Sequence, residues 1–282
     1  MKRLLLGMAG LLLAGMALAA GPRATREKVE ASMVVTGSIG VTPQGTVLGY
    51  TLDHPEKLPP LVADLIGKAV PGWTFQPVLR DGKPVAAKAR MSLRVVAQPI
   101  GDGKFRVGVR SAWFGDPGRG ISKDKGTPPR YPMQAIRGRV EGTVYVALRL
   151  DREGRVSDAA AEQVNLRVIA SDNEMKHWRE VFAKATLNAA RLWTFSPADP
   201  SDHAPYRDVT VPVAYELHVG PAPTAPSPES KYGQWQTYVP GPLEPVPWSD
   251  ADRMLTGGVD ALPDDGVFGA SSLSLLTPLD RG

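Results

Sequence analysis

The 282-residue chain carries 33 Lys or Arg against 29 Asp or Glu, 43% apolar side chains and no cysteine. Such a length suits one or two domains of roughly 100–200 residues, and the apolar share suffices for a packed core. The lack of cysteine excludes a disulfide framework, a thiolate-ligated zinc site and lipid attachment through a thiol.

Lys2 and Arg3 precede an apolar stretch from Leu4 to Leu18, and Ala17-Leu18-Ala19 ends it with the small residues a signal peptidase cuts beside. Residues 1–19 therefore read as a cleavable signal peptide. The alternative is an uncleaved inner-membrane anchor, for which about 15 apolar residues fall short of the roughly 20 that span a bilayer. Losing Lys2 and Arg3 leaves 31 basic against 29 acidic side chains. Later segments lack a spanning run, so the mature chain is expected in the periplasm, where nucleic acid is not a partner.

Along residues 33–97, Val35, Gly37, Ile39 and Val41 alternate as a strand into a turn closed by Gly45, with Val47 beyond it. Pro59-Pro60 starts a helix whose apolar side is expected to be Leu61, Leu65, Ile66 and Ala69, and Pro71-Gly72 ends it. The string Trp73-Thr74-Phe75-Gln76-Pro77 follows, then a strand from Val85 to Val95. Residues 98–128 read as a hairpin about Gly101-Asp102-Gly103 and a basic linker. No helical pattern follows those glycines, which argues against a phosphate loop. Residues 76–139 hold fourteen Lys or Arg against four Asp. That charge reads either as solvated loops screened by the acidic tail or as a face for an anionic surface or acidic partner.

Residues 129–219 repeat the order of elements. Val140, Gly142, Val144, Val146, Leu148 and Leu150 fall on one face of a strand, with Thr143, Tyr145, Ala147 and Arg149 on the other. This alternation predicts one buried sheet face. Asp151 to Gly154 turn the chain, and Val164, Leu166 and Val168 form the antiparallel partner. Ser171-Asp172-Asn173-Glu174 is a capping box, opening a helix whose apolar stripe is Met175, Trp178, Phe182, Ala185, Ala189 and Leu192. Trp193-Thr194-Phe195-Ser196-Pro197 echoes the earlier string, and Val209 to Val219 alternate as a third strand. Gly45 and Val47 align without gaps on Gly154 and Val156. Chance recurrence of a Trp-Thr-Phe-x-Pro string is the alternative to a true repeat. Trp73, Trp178 and Trp193 lie where core packing explains them better than a binding platform.

Residues 220–282 form a Pro-rich acidic tail, expected to be largely irregular. Its aromatics Trp235, Tyr238 and Trp248 are candidates to anchor it across a module or against a partner.

Pro129-Arg130-Tyr131-Pro132-Met133-Gln134-Ala135, Gly142-Thr143-Val144, Asp151, Gly154-Arg155-Val156, Ala189 and Trp193-Thr194-Phe195-Ser196-Pro197 together resemble the TonB C-terminal domain family. The resemblance covers residues 129–219, about a third of the chain, and residues 33–97 then read as a degenerate second copy. It implies a periplasmic module whose free sheet edge accepts an extended peptide of an outer-membrane transporter or another envelope protein. The physical basis is that an edge strand presents unpaired amides and carbonyls that an added strand satisfies. The expected docking strand is Val209–Val219, with Thr210, Ala214, Glu216 and His218 facing the peptide and Pro212 removing one donor from the ladder. The alternative is that the chain covers this edge itself. Tyr131, Pro132, Gly142, Gly154, Trp193, Phe195, Pro197, Trp73, Phe75 and Pro77 are expected to be structural, the Tyr131-Pro132 bond with a cis option.

The expected fold class is α+β: two TonB-C-like modules, each an antiparallel three-stranded sheet packed by a helix, plus the irregular tail. The pattern departs from a full TonB protein, since no His precedes His54 and a second module stands where a long Pro-rich spacer belongs. A soluble adaptor, a decoy or a repurposed module is therefore at least as good a reading as an energy transducer. Four histidines without metal spacing and no Gly-x-Ser-x-Gly elbow argue against an enzyme, and no cofactor is expected. A structural protein held to anionic envelope surfaces by its basic segment is the rival reading. Oligomeric state is left open.

Overall fold

A computed structural model describes residues 29–117, 121–199, 202–217, 231–249 and 258–279. The expected signal peptide and His218 lie outside the described residues. The first half comprises strands β1 (Glu30–Val41) and β2 (Val47–Leu52), helix α1 (Pro60–Ala69), the short hairpin β3 (Val78–Arg80) and β4 (Lys83–Val85), then β5 (Ala87–Gly101) and β6 (Lys104–Gly115). The second half comprises β7 (Lys123–Lys125), α2 (Met133–Gly138), β8 (Gly142–Leu150), β9 (Val156–Leu166), α3 (Asp172–Ala190), β10 (Thr194–Phe195) and β11 (Arg207–Tyr215). The tail contributes β12 (Gln236–Tyr238). The fold is α+β with antiparallel sheets.

The two halves share one topology. In each, the first strand is central, its hairpin partner lies on one side, and the strand after the helix returns to the other side. The order is β2-β1-β5 in the first half and β9-β8-β11 in the second. The turns correspond in hydrogen bonding as well. Phe75 donates its amide to the Gly45 carbonyl at 2.7 Å, and Phe195 donates to Gly154 at 2.8 Å. Both glycines have positive φ, 83° and 80°. A Cβ on either would lie 2.0 Å from the carbonyl oxygen of that same phenylalanine, so only glycine lets the strands approach this closely.

The sheets differ in size. The second has the three expected strands, whereas the first has five, because β6 pairs along β5 and β12 joins β1. The segment expected as a hairpin and linker at 98–128 therefore supplies the end of β5 and all of β6, with Asp102 and Gly103 at the hairpin tip. Tyr131-Pro132 is trans, since no cis peptide occurs among the described residues. Pro132 caps α2, and the Tyr131 hydroxyl donates to the Val140 carbonyl at 2.7 Å.

Helix α3 begins at the capping box as expected, with the Glu174 amide bonded to Ser171 Oγ and the Ser171 amide to the Glu174 carboxylate. Its buried positions are Met175, Phe182, Thr186 and Ala190. The expected stripe holds as far as Phe182 and then rotates by one residue. A repeat averaging 3.5 drifts off the seam of a straight helix of 3.6 residues per turn. Leu192 lies past the helix end and is 80% exposed. Thr186 replaces Ala185 on the inner face because its hydroxyl pairs with Tyr215 Oη at 2.9 Å. Helix α1 shows the same one-residue rotation, burying Val62 and Ile66 and leaving Leu61 exposed.

The expectation of one buried face fails for the second sheet. Tyr145 is fully buried at 0% exposure, and Thr143 and Ala147 beside it are buried too. Their face packs on Trp113 of β6 and on Ala261, Leu262 and Phe268 of the tail. The other face carries Val144, Val146, Leu148 and Leu150 against α3 and the Trp193–Phe195 segment. Alternation within a strand reports which face meets its own helix, and says nothing of what a distant segment later covers.

The tail is mostly irregular in backbone yet ordered by contact. Val239 exchanges amide and carbonyl bonds with Leu166 on β9, Phe268 does so with Thr210 on β11, Ser272 donates to Phe114 of β6, and Leu276 donates to Thr74. The three tail aromatics serve as anchors. Trp235 packs on the first core, Tyr238 is buried against Asp260, and Arg149 lies over the Trp248 ring.

Candidate functional site

Strand β11 pairs with β8 residue for residue, from Arg207 opposite Leu150 to Tyr215 opposite Gly142. It ends the sheet, so its other side is an edge. Thr210 points its amide and carbonyl outward, to Phe268. Residues two apart on a strand share that direction, which places the outward groups of Pro212 and Ala214 on the same edge. Pro212 supplies only a carbonyl. Among the described residues no strand runs along β11 on this side, and the Thr210–Phe268 pair is its single isolated bridge.

The edge borders a cleft of about 650 Å³ between the two halves. Ala214 of β11 and Glu216 just past its end line it, with Met33, Met91, Arg90 and Trp113 from the first sheet and Asp264, Gly266 and Phe268 from the tail. The expected docking residues therefore separate. Thr210 is buried and already bridged. Ala214 faces the cleft. Glu216 is held by Arg167 at 2.6 Å and by Lys231. Burial opposes the Glu216 charge, but these two cations outweigh it and hold its carboxyl below the ordinary 4.5. Pro197 and Pro77 are exposed, whereas Trp193, Phe195, Trp73 and Phe75 are buried in the two cores. Trp193 Nε1 donates to Thr127 at 3.0 Å, and Gly142 approaches the Asn165 carbonyl too closely for a Cβ.

Behind the cleft, a buried polar cluster joins both halves and the tail. Arg94 of β5 donates to the Asp260 carbonyl at 2.7 Å, to Ser32 Oγ at 3.1 Å and to Tyr145 Oη at 2.9 Å. Ser111 Oγ donates to the Asp260 carboxylate at 2.6 Å, as does Tyr238 Oη. Burial works against the Arg94 cation, yet the nearby Asp260 carboxylate and the hydrogen bond accepted by Tyr145 Oη keep it protonated. Burial also raises the Tyr145 and Tyr238 hydroxyls well above their usual range, so both stay neutral hydrogen-bond donors. Sequence reading missed this cluster and Phe268 alike. A lone aromatic after Asp264-Asp265-Gly266 was the available signal.

No group of three or more His, Asp or Glu suited to a metal occurs among the described residues. His54 packs edge-on against Tyr232, and His177 lies against Trp178. Nor is any described helix long and apolar enough to cross a membrane. Helix α3 on the sheet β9-β8-β11, with one edge bordering a cleft, forms an α+β module. Residues 127–217 match the family model for the Gram-negative bacterial TonB protein C-terminal, and this segment is a TonB C-terminal domain. That family consists of non-enzymatic protein-interaction domains of the bacterial envelope. No curated protein and no solved structure matches the chain.

Proposed function

We propose that this is a periplasmic TonB-like protein that binds an extended peptide of an outer-membrane transporter, or of another envelope protein, by strand addition at β11. The observation that carries this reading is the cleft beside Ala214 at the outer side of a terminal strand. Main-chain groups supply the affinity in such a mode, and pockets for alternate side chains supply selectivity. The first half supports the reading by analogy. Its strand β5, equivalent to β11, already carries β6 along its outer side from Arg90 to Gly101. The shared topology and the matched Gly45 and Gly154 turns support residues 33–97 as a degenerate copy of the domain, in which β6 takes the place that a partner strand would take on the second.

Titrating the mature protein with receptor plug peptides while following the β11 amides tests the proposal. Shifts from Thr210 to Tyr215 are expected, and unchanged resonances there would overturn it. The rival reading draws on the exposed Arg80, Lys83, Lys88, Lys104 and Arg106 of the first half. It calls for co-sedimentation with anionic vesicles that fades as salt rises, since exposed charges are screened beyond about 8 Å at physiological ionic strength.

A further inference from the structure

The tail segment that meets β11 runs antiparallel to it. Phe268 exchanges two backbone bonds with Thr210, at 2.7 and 2.9 Å. Asp264, four residues earlier, lies level with Ala214, since Thr143 pairs with Ala214 in the sheet and donates its hydroxyl to Asp264 at 3.1 Å. Between these two points no further residue of the segment bridges to β11, and Gly266, whose φ is 116°, lines the cleft. Both ends are held by side chains. Phe268 is 2% exposed and meets Trp113 edge to face at 5.2 Å, in one cluster with Tyr145. The Asp264 carboxylate pairs with Arg167 at 2.8 Å.

We propose that Asp264–Phe268 is the chain's own occupant of the β11 edge, and that a partner must displace it. The displacing peptide would be extended and antiparallel to β11, with an aromatic side chain for the Trp113–Tyr145 pocket and a carboxylate four residues before it for Arg167. This rests on β11 being the docking edge and adds to it both an internal competitor and the chemistry of the partner. The occupant is incomplete by construction. One backbone bridge, the buried Phe268 ring, the Thr143 hydrogen bond and the Arg167 pair hold it, whereas a continuous strand would also reach the Ala214 amide and the Pro212 carbonyl.

The probe is a synthetic peptide with the chain's own sequence Leu262–Ala270, added to full-length protein. In Phe268→Ala the occupant loses its buried ring, and exchange of the Thr210 amide should accelerate by about tenfold or more. The peptide should then bind that variant and restore Thr210 protection, should bind wild type at least about tenfold more weakly, and should fail when its own phenylalanine is replaced by alanine. A second variant guards against general destabilisation. The chain has no cysteine, and Thr210 and Phe268 exchange both bonds, a pairing whose Cα separation of about 5.5 Å suits a disulfide. Thr210→Cys with Phe268→Cys should exclude the peptide when oxidised and admit it when reduced. Equal binding to the oxidised and reduced forms, or unaltered Thr210 exchange in Phe268→Ala, would overturn the proposal. Docking of the chain's own peptide to the opened variants, with no receptor peptide binding them, would uphold the self-occupied edge and remove the receptor reading instead.

Discussion

Replacing Gly154 by alanine tests the turn on which the second half closes. Gly154 has a φ of 80°, a region that costs an L-residue about 1–2 kcal/mol. The new methyl would also sit 2.0 Å from the Phe195 carbonyl oxygen, so the Trp193–Phe195 segment must move outward. That movement breaks the 2.8 Å bond from the Phe195 amide to the Gly154 carbonyl, and a buried amide left unpaired costs about 1–3 kcal/mol. The expected loss is therefore about 2–5 kcal/mol. At a slope of about 3 kcal/mol per molar urea, the unfolding midpoint followed by tryptophan fluorescence should fall by roughly 1 M. Gly45→Ala should behave alike, because its Cβ would lie 2.0 Å from the Phe75 oxygen. Gly82→Ala is the control. Its φ of 74° is equally unfavourable but nothing lies within 4 Å of an added Cβ, so only about 1–2 kcal/mol should be lost. If Gly154→Ala and Gly82→Ala lowered the midpoint equally, the close approach at this turn would carry no energy and the reasoning would be refuted.

Arg94→Ala should destabilise by about 3–5 kcal/mol, since it strips a buried cation from Asp260, Ser32 and Tyr145; a loss under about 1 kcal/mol in urea titration would contradict the cluster's role. Ser171→Ala removes the side-chain half of the α3 capping box and should cost about 1 kcal/mol by the same assay. Acid should weaken the fold through Glu216, whose folded-state pKa lies below the ordinary 4.5 because Lys231 and Arg167 favour its charge. That contribution is present above the unfolded value and is lost as pH falls through the folded one. Glu216→Gln should therefore be less stable than wild type near neutrality and should converge with it in acid; a gap independent of pH would argue against the ion pairs.

Several elements were legible because their signals are local. The α3 capping box needs only Ser171 and Glu174 three residues apart, and both hydrogen bonds are present. The alternation of Val144, Val146, Leu148 and Leu150 marks the face against α3, where all four are buried. The strand beside the cleft was legible too, since β11, Arg207–Tyr215, overlaps the expected Val209–Val219 strand. The helix stripes were half right. Spacing alone does not fix helix rotation to one residue, and the Thr186–Tyr215 hydrogen bond, unreadable from hydropathy, sets it for α3.

The amino-acid order by itself determined the secondary elements, the glycine turns and the TonB C-terminal character of the second half, because each follows from residues close in the chain or from a recurring string. Tertiary structure alone decided which edges stay open. The tail contacts at Thr210, Leu166, Phe114 and Thr74 join residues far apart in sequence through irregular backbone. Their partners are chosen when the two sheets and the tail come together, and no periodicity in the tail encodes that choice.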